Sequence, residues 1–177
     1  MAPDSQTMSA LEGLVPLEGF YHWGIVTTDF DATLAELSAT AGLEWASTVV
    51  RDFDVRQPNG VVKTDMRVTY SVNGPPHWEI IAASPGTIWD PASANGVHHL
   101  GFWSEDLISD SARLSDAGYP WLATYDHESC EPFGFTYHVI GALGLRIELV
   151  SADRRPAFDN WIAGGDFPSA LEETSLQ

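Results

Sequence analysis

Two stretches of the chain share one pattern: His22-Trp23-Gly24-Ile25-Val26-Thr27-Thr28-Asp29-Phe30 and His99-Leu100-Gly101-Phe102-Trp103-Ser104-Glu105-Asp106-Leu107. Both read His-x-Gly, two apolar residues, a hydroxyl, a free position, Asp and an apolar residue. A second pair closes the repeat, with Trp78-Glu79-Ile80-Ile81-Ala82-Ala83 lying over Ile147-Glu148-Leu149-Val150-Ser151-Ala152. Self-similarity constrains the fold more than any single motif, because both copies must adopt the same local structure and share one core.

Each copy reads as β-α-β-β-β. In the first, residues 20–28 alternate as a strand, and Asp29 is placed to cap a helix through Phe30, Leu34, Leu37 and Ala41 that Gly42 stops. Strands follow over 45–56, 61–72 and 77–83, separated by the turns Pro58-Asn59-Gly60 and Asn73-Gly74-Pro75-Pro76. In the second, a strand over 97–104 leads through Asp106 into a helix over 107–117, with Gly118 as its stop. Strands at 121–125, 135–141 and 145–150 complete it. The expected fold class is α+β: two paired modules, 18–84 and 96–152, in one domain over 18–152. Residues 1–17 are expected as a flexible leader, 84–95 as a linker, and 153–177 as a C-terminal helix (154–163) and tail.

Strand parity gives the repeat chemical content. A glutamate flanked by Trp78 and Ile80, or by Ile147 and Leu149, points away from the face that its apolar neighbours bury. The same argument turns His22 and His99 from the helix-packed side, and Gly24 and Gly101 leave space on the histidine face. If the modules pair, four side chains converge. Burial of two unpaired carboxylates is costly, and two imidazoles with two carboxylates form a set suited to a divalent metal.

Charge narrows the partners. The chain carries 25 acidic against 8 basic residues, a net charge of −17, which repels nucleic acid and anionic membranes. No stretch approaches the ~18 apolar residues of a membrane span. The first residues lack the features of a signal peptide, and the single Cys130 leaves no intrachain disulfide. A soluble, cytoplasmic protein acting on a small molecule is expected. Arg51, Arg56, Lys63 and Arg67 are close enough in sequence to form a local basic patch, although solvated charges on paired strands are the usual case.

With its paired βαβββ modules, His-x-Gly at His22-Trp23-Gly24 and His99-Leu100-Gly101, and strand glutamates Glu79 and Glu148, the chain resembles the vicinal oxygen chelate superfamily over residues 20–152. That superfamily includes glyoxalase I, methylmalonyl-CoA epimerase, extradiol dioxygenases and bleomycin-resistance proteins. The resemblance implies an incomplete barrel around a metal held by His22, Glu79, His99 and Glu148. It implies Zn, Ni, Co or Mn, with Fe(II) as the alternative, and a homodimer. A fourth protein ligand resembles the glyoxalase I and methylmalonyl-CoA epimerase branch, where a metal polarises a carbonyl or enediolate oxygen and a carboxylate moves the neighbouring proton. Glu148 is then the expected ligand that also serves as base. His138, mid-strand, is a second candidate acid or base.

No cluster of basic residues matches the anionic substrates of that branch, and seven tryptophans point to an apolar or aromatic ligand. Trp45, Trp103 and Trp121 are placed near the cavity, Trp103 because it shares parity with His99. His98 is expected on the face opposite His99. His77 is read as a strand-edge surface residue, or as a support for Glu79. The loop over 126–132, with His127 and Cys130, is a candidate cover. The expected activity is that of a metal-dependent lyase, isomerase or epimerase. The alternatives are an Fe(II) dioxygenase-type enzyme and a non-catalytic protein that sequesters a small molecule.

Overall fold

The structure, a computed structural model, describes residues 13–91, 96–142 and 144–167. The first module runs β1 (Phe20–Thr27), α1 (Phe30–Ala41), β2 (Val49–Gln57), β3 (Gly60–Tyr70) and β4 (His77–Ala82). The second runs β5 (Val97–Ser104), α2 (Leu107–Asp116), β6 (Trp121–Tyr125), β7 (Phe135–Ile140) and β8 (Leu145–Ser151), and α3 (Arg155–Ile162) follows. The caps work as the sequence implies. Asp29 accepts from the Ala32 amide at 3.1 Å and Asp106 from the Ser109 amide at 3.0 Å. Gly42 ends α1 at φ 69°, a left-handed conformation that favours glycine. The second strand starts later than expected, since Trp45 forms only an isolated bridge with Ser71.

Within each module the first and last strands pair in parallel, β1 with β4 and β5 with β8, and the remaining pairs are antiparallel. The modules join at two places. Strands β1 and β5 pair antiparallel through five register positions, whereas β2 and β6 meet only at Val55↔Tyr125 and Arg56↔Thr124. The eight strands thereby close in the order β1-β4-β3-β2-β6-β7-β8-β5.

Alternation along the strands sorts the core into two bodies. Phe102, Ile147 and Leu149 pack with Leu107 and Leu114 of α2 on the outside of the sheet. Tyr21, Val68, Tyr70, Trp103, Phe135 and Tyr137 join Trp89 and Trp161 in a second, larger cluster. The aromatic payload of the chain is thus concentrated inside the barrel and under α3.

Candidate metal centre and its cavity

The four residues singled out by the repeat meet. His22 and His99 lie on β1 and β5, and Glu79 and Glu148 on the flanking strands β4 and β8, so the set occupies one arc of four neighbouring strands. The histidines are 0% exposed, Glu79 6% and Glu148 7%. His22 Nε2 lies 2.8 Å from His99 Nε2, 3.4 Å from Glu79 Oε2 and 3.1 Å from Glu148 Oε2. His99 Nε2 lies 2.8 Å from Glu79 Oε2 and 3.4 Å from Glu148 Oε2. Metal–ligand bonds of about 2.0–2.1 Å in a tetrahedron place ligand atoms roughly 3.3–3.4 Å apart. The set is therefore compact enough to hold an ion after small side-chain shifts.

Unsatisfied polar atoms test that fit. Glu79 Oε2 and Glu148 Oε2 are buried without a hydrogen-bond partner, although both face imidazole nitrogens at short range. Two carboxylate oxygens and two Nε2 atoms, all within 4.8 Å of one another, converge on one point, where a divalent cation would satisfy all four. The residues fit a metal; the donor set does not choose among the candidates.

The glycines act across the modules. Gly24 pairs with His99 and Gly101 with His22. A Cβ on Gly24 would lie 1.8 Å from His99 Cε1, and one on Gly101 would lie 1.8 Å from His22 Cε1. Each module thus supplies the empty slot for the other's histidine.

Two register shifts in the β1–β5 pair refine the picture. The pairing Phe20↔Phe102 gives way to His22↔Gly101, and Gly24↔His99 to Ile25↔Val97, so Tyr21 and His98 are the extra residues of two bulges. These are equivalent positions of the repeat, each preceding a histidine of the cluster. A bulge re-aims a side chain. His98 was expected on the opposite face; instead its Nδ1 lies 2.9 Å from His99 Nδ1, and its Nε2 2.9 Å from the Ile88 carbonyl oxygen. A carbonyl only accepts, so His98 Nε2–H donates to it. Burial, with His99 and Arg146 adding to it, pushes the His98 pKa down to about 3, so the ring is neutral. Its Nδ1 then accepts from His99 Nδ1–H, which leaves His99 Nε2 as the atom available to ligate an ion.

The carboxylates are held in the same paired fashion. The Tyr70 hydroxyl donates to Glu79 Oε1 at 2.5 Å, and Tyr137 hydrogen-bonds to Glu148. Tyr70↔Glu79 and Tyr137↔Glu148 are both cross-strand register pairs. Tyr21 bonds to Tyr70, and Trp89 Nε1 donates to the Tyr137 hydroxyl at 3.2 Å. Burial, reinforced by the two glutamates, raises all three phenols well above their usual range, so they remain donors. Sequence reasoning missed Tyr70 and Tyr137. The available signal was a tyrosine on the strand preceding each glutamate strand.

Burial opposes charge on His22 and His99, but the two carboxylates outweigh it: both pKa values rise, His99 to about 9. Burial likewise works against ionised Glu79 and Glu148, and the two imidazoles outweigh it, lowering both. Charge on the imidazoles and charge on the carboxylates thus support each other.

Glu79 and Glu148 open onto a cavity of about 130 Å³ lined by Tyr21, Tyr70, Trp89, Trp103, Tyr137 and Trp161 among others. Of the three tryptophans expected there, Trp103 lines it, stacked on Tyr21 at 3.9 Å. Trp45 and Trp121 do not. Trp45 turns to Ser38 of α1, donating to its hydroxyl at 2.8 Å, and Trp121 sits opposite His138 in the sheet. Trp89, in the stretch expected as a linker, and Trp161 of α3 take their places.

His138 is also displaced from its expected role. Its Nδ1 lies 2.6 Å from the Tyr119 carbonyl and its Nε2 3.1 Å from Ser111 Oγ of α2, so it points to the helix layer while Tyr137 faces the cavity. His77 is buried rather than at the surface, bonded to the Ser71 carbonyl at 2.7 Å. The residues of the loop over 126–132 do not line the cavity; Ala157, Phe158 and Trp161 of α3 do. Nor does the basic patch form: Arg56 pairs with Asp126, Arg67 pairs with Asp31, and Arg51 lines the cavity.

A family model described as Glyoxalase/Bleomycin resistance protein/Dioxygenase superfamily matches residues 21–137. Among solved structures, a variant of methylmalonyl-CoA epimerase from Streptomyces coelicolor in complex with 2-nitronate-propionyl-CoA is 22% identical. It aligns with a TM-score of 0.52 over 75% of this chain and 95% of that one. Methylmalonyl-CoA epimerase from Mycobacterium tuberculosis is 18% identical, with a TM-score of 0.55 over 79% and 90%. A hypothetical protein from Bacillus halodurans C-125 is 13% identical, with a TM-score of 0.51 over 75% and 92%. At these identities the likeness is one of fold. No curated protein matches.

Proposed function

The chain belongs to the glyoxalase/bleomycin resistance protein/dioxygenase superfamily, and on that premise we propose that it is a metal-dependent isomerase, epimerase or lyase. It moves a proton at the carbon next to a carbonyl of a small aromatic or apolar molecule. The observation that carries this reading is the closed set His22, Glu79, His99 and Glu148, whose two carboxylates alone open onto the aromatic cavity.

His22, Glu79, His99 and Glu148 would hold the ion, which when bound supplies a positive charge against the substrate carbonyl oxygen and favours loss of the neighbouring proton. Glu148 takes that proton. A carboxylate with a lowered pKa is a weak base, so its hold on the site must loosen when substrate enters. Tyr137 keeps its hydrogen bond to Glu148 and limits that movement. Glu79, its repeat partner on β4, faces the cavity from the other module. Trp103, Tyr21 and Trp161 exclude water and pack the apolar part of the substrate.

Metal content and exchange chemistry test this. About one Zn, Ni, Co or Mn per chain is expected. Incubation of a 2-substituted 3-oxo-acyl thioester or acid with the metal-loaded protein in D₂O should exchange its carbon-bound proton. Glu148→Gln should slow that exchange by about 10²-fold or more. Tightly bound Fe(II) with oxygen uptake would replace the reading by the dioxygenase one, and exchange that survives Glu148→Gln unchanged sinks the base assignment.

A further inference from the structure

Residues 84–90 lie between β4 and β5, in the stretch that joins the two modules, and they fold into a turn closed on itself. The Ser84 amide donates to the Trp89 carbonyl at 3.1 Å, and the Asp90 amide to the Thr87 carbonyl at 3.1 Å. Thr87 Oγ1 ties the turn together: it donates to the Ser84 carbonyl at 2.7 Å and accepts from the Trp89 amide at 3.1 Å. Ser84 Oγ lies 3.1 Å from Thr64 Oγ1, which fastens the turn to β3. Ser84, Thr87, Ile88 and Trp89 are all buried, so these bonds are shielded from water and hold the turn in one shape.

Two adjacent residues of this turn reach two members of the cluster, each through one intermediate side chain. The Ile88 carbonyl accepts from His98 Nε2–H at 2.9 Å, and His98 Nδ1 lies 2.9 Å from His99 Nδ1. Trp89 Nε1 donates to the Tyr137 hydroxyl at 3.2 Å, and Tyr137 bonds to Glu148. An indole N–H only donates, so the Tyr137 oxygen is the acceptor there and its single proton is directed at Glu148. A carbonyl only accepts, so His98 is fixed in the tautomer that offers an Nδ1 lone pair to His99. His99 and Glu148 are the two cluster residues of the second module. The other two are held differently: Glu79 is bonded by Tyr70, which Tyr21 bonds in turn, and His22 Nδ1 has no hydrogen-bond partner.

We propose that residues 84–90 form a brace that orients His99 and Glu148 together, with Thr87 and Trp89 as its positioning residues. The service of that brace to a bound ion rests on the function proposed above. Thr87 belongs to neither the cluster nor the cavity wall, so its effect on the cluster comes through the turn.

The test is Zn²⁺ affinity measured by calorimetry, with the visible spectrum of the Co²⁺-loaded protein as a second readout. Thr87→Val keeps the shape and removes the hydroxyl; it should weaken Zn²⁺ binding about tenfold and shift the Co²⁺ absorption bands. Thr87→Ser, which keeps the hydroxyl, should retain most of the affinity. Trp89→Phe keeps an aromatic ring without the N–H and should also cost about tenfold. That loss should shrink to less than about twofold when Tyr137 is already Phe, and persist in full when Tyr70 is Phe instead. If Trp89→Phe does not fold, the Thr87 pair carries the test alone. Zn²⁺ binding that is indifferent to Thr87→Val, equal losses in Thr87→Val and Thr87→Ser, or a Trp89→Phe loss of full size in the Tyr137→Phe background overturns the brace alone. No Zn²⁺ binding by the unmodified protein overturns the metal-dependent reading, and the brace with it.

Discussion

His22 and His99 occupy equivalent positions of the repeat but not equivalent surroundings. The residue before each is turned by a bulge. At position 98 it is a histidine that accepts from His99 Nδ1; at position 21 it is a tyrosine that bonds elsewhere, and His22 Nδ1 is left without a hydrogen-bond partner. His99 is therefore the more firmly oriented of the two candidate ligands. Replacing His98 by Leu removes both the acceptor for His99 Nδ1–H and the donor to the Ile88 carbonyl. Zn²⁺ affinity measured calorimetrically should fall about 10–100-fold. His98→Asn, which restores an acceptor, should recover part of it, and equal losses in both variants would point to packing alone.

At the level of elements, α3 closes the cavity although it stands outside both modules. Trp161 is 1% exposed, donates through Nε1 to the Ser47 carbonyl at 3.0 Å, and meets Tyr70 and Phe167 in T-shaped contacts. Trp161→Ala should cost about 3–5 kcal/mol in chemical denaturation. It should also increase quenching of Trp103 by added iodide, because the cavity loses its cover. The elements were largely legible from the sequence, since alternation and helix caps are local signals. The convergence of the four candidate ligands was legible for a different reason: the repeat places His22 with His99 and Glu79 with Glu148 whatever the intervening loops do. What escaped was set by geometry without a periodic signature. A bulge leaves no trace in hydrophobic pattern, so His98 was assigned to the wrong face. Trp89 lies in an irregular stretch where parity has no meaning. His138, beside a cavity-facing Tyr137, follows parity to the outside, where Ser111 and Tyr119 satisfy it.

For the whole molecule, the cluster couples stability to pH. His99 is raised from 6.5 to about 9, and His22 is raised as well. In the metal-free protein their contribution is fully present below pH 6.5 and fades as pH rises through about 9. Glu79 and Glu148 are lowered, so their contribution is present above the ordinary carboxylate range and is lost only in acid. A divalent ion replaces the imidazolium protons, so its binding strengthens over the same rise in pH. Melting temperatures from pH 6.5 to 9 should therefore fall without metal, and the stabilisation on adding Zn²⁺ should grow. Parallel curves with and without Zn²⁺ would show that protons and metal do not compete for these rings.

The two joints between the modules are mechanically unequal. Five register pairs tie β1 to β5 beside the candidate metal ligands, whereas two tie β2 to β6, helped by Arg51–Tyr125 and Arg56–Asp126 across the same seam. The barrel therefore has a hinge side and a latch side. Opening at the latch would part the far wall of the cavity while leaving the arc of His22, His99, Glu79 and Glu148 intact, so a molecule could pass in or out without disturbing that cluster. Side chains fasten that latch, and they are replaceable one at a time without disturbing the strands that hold the chemistry.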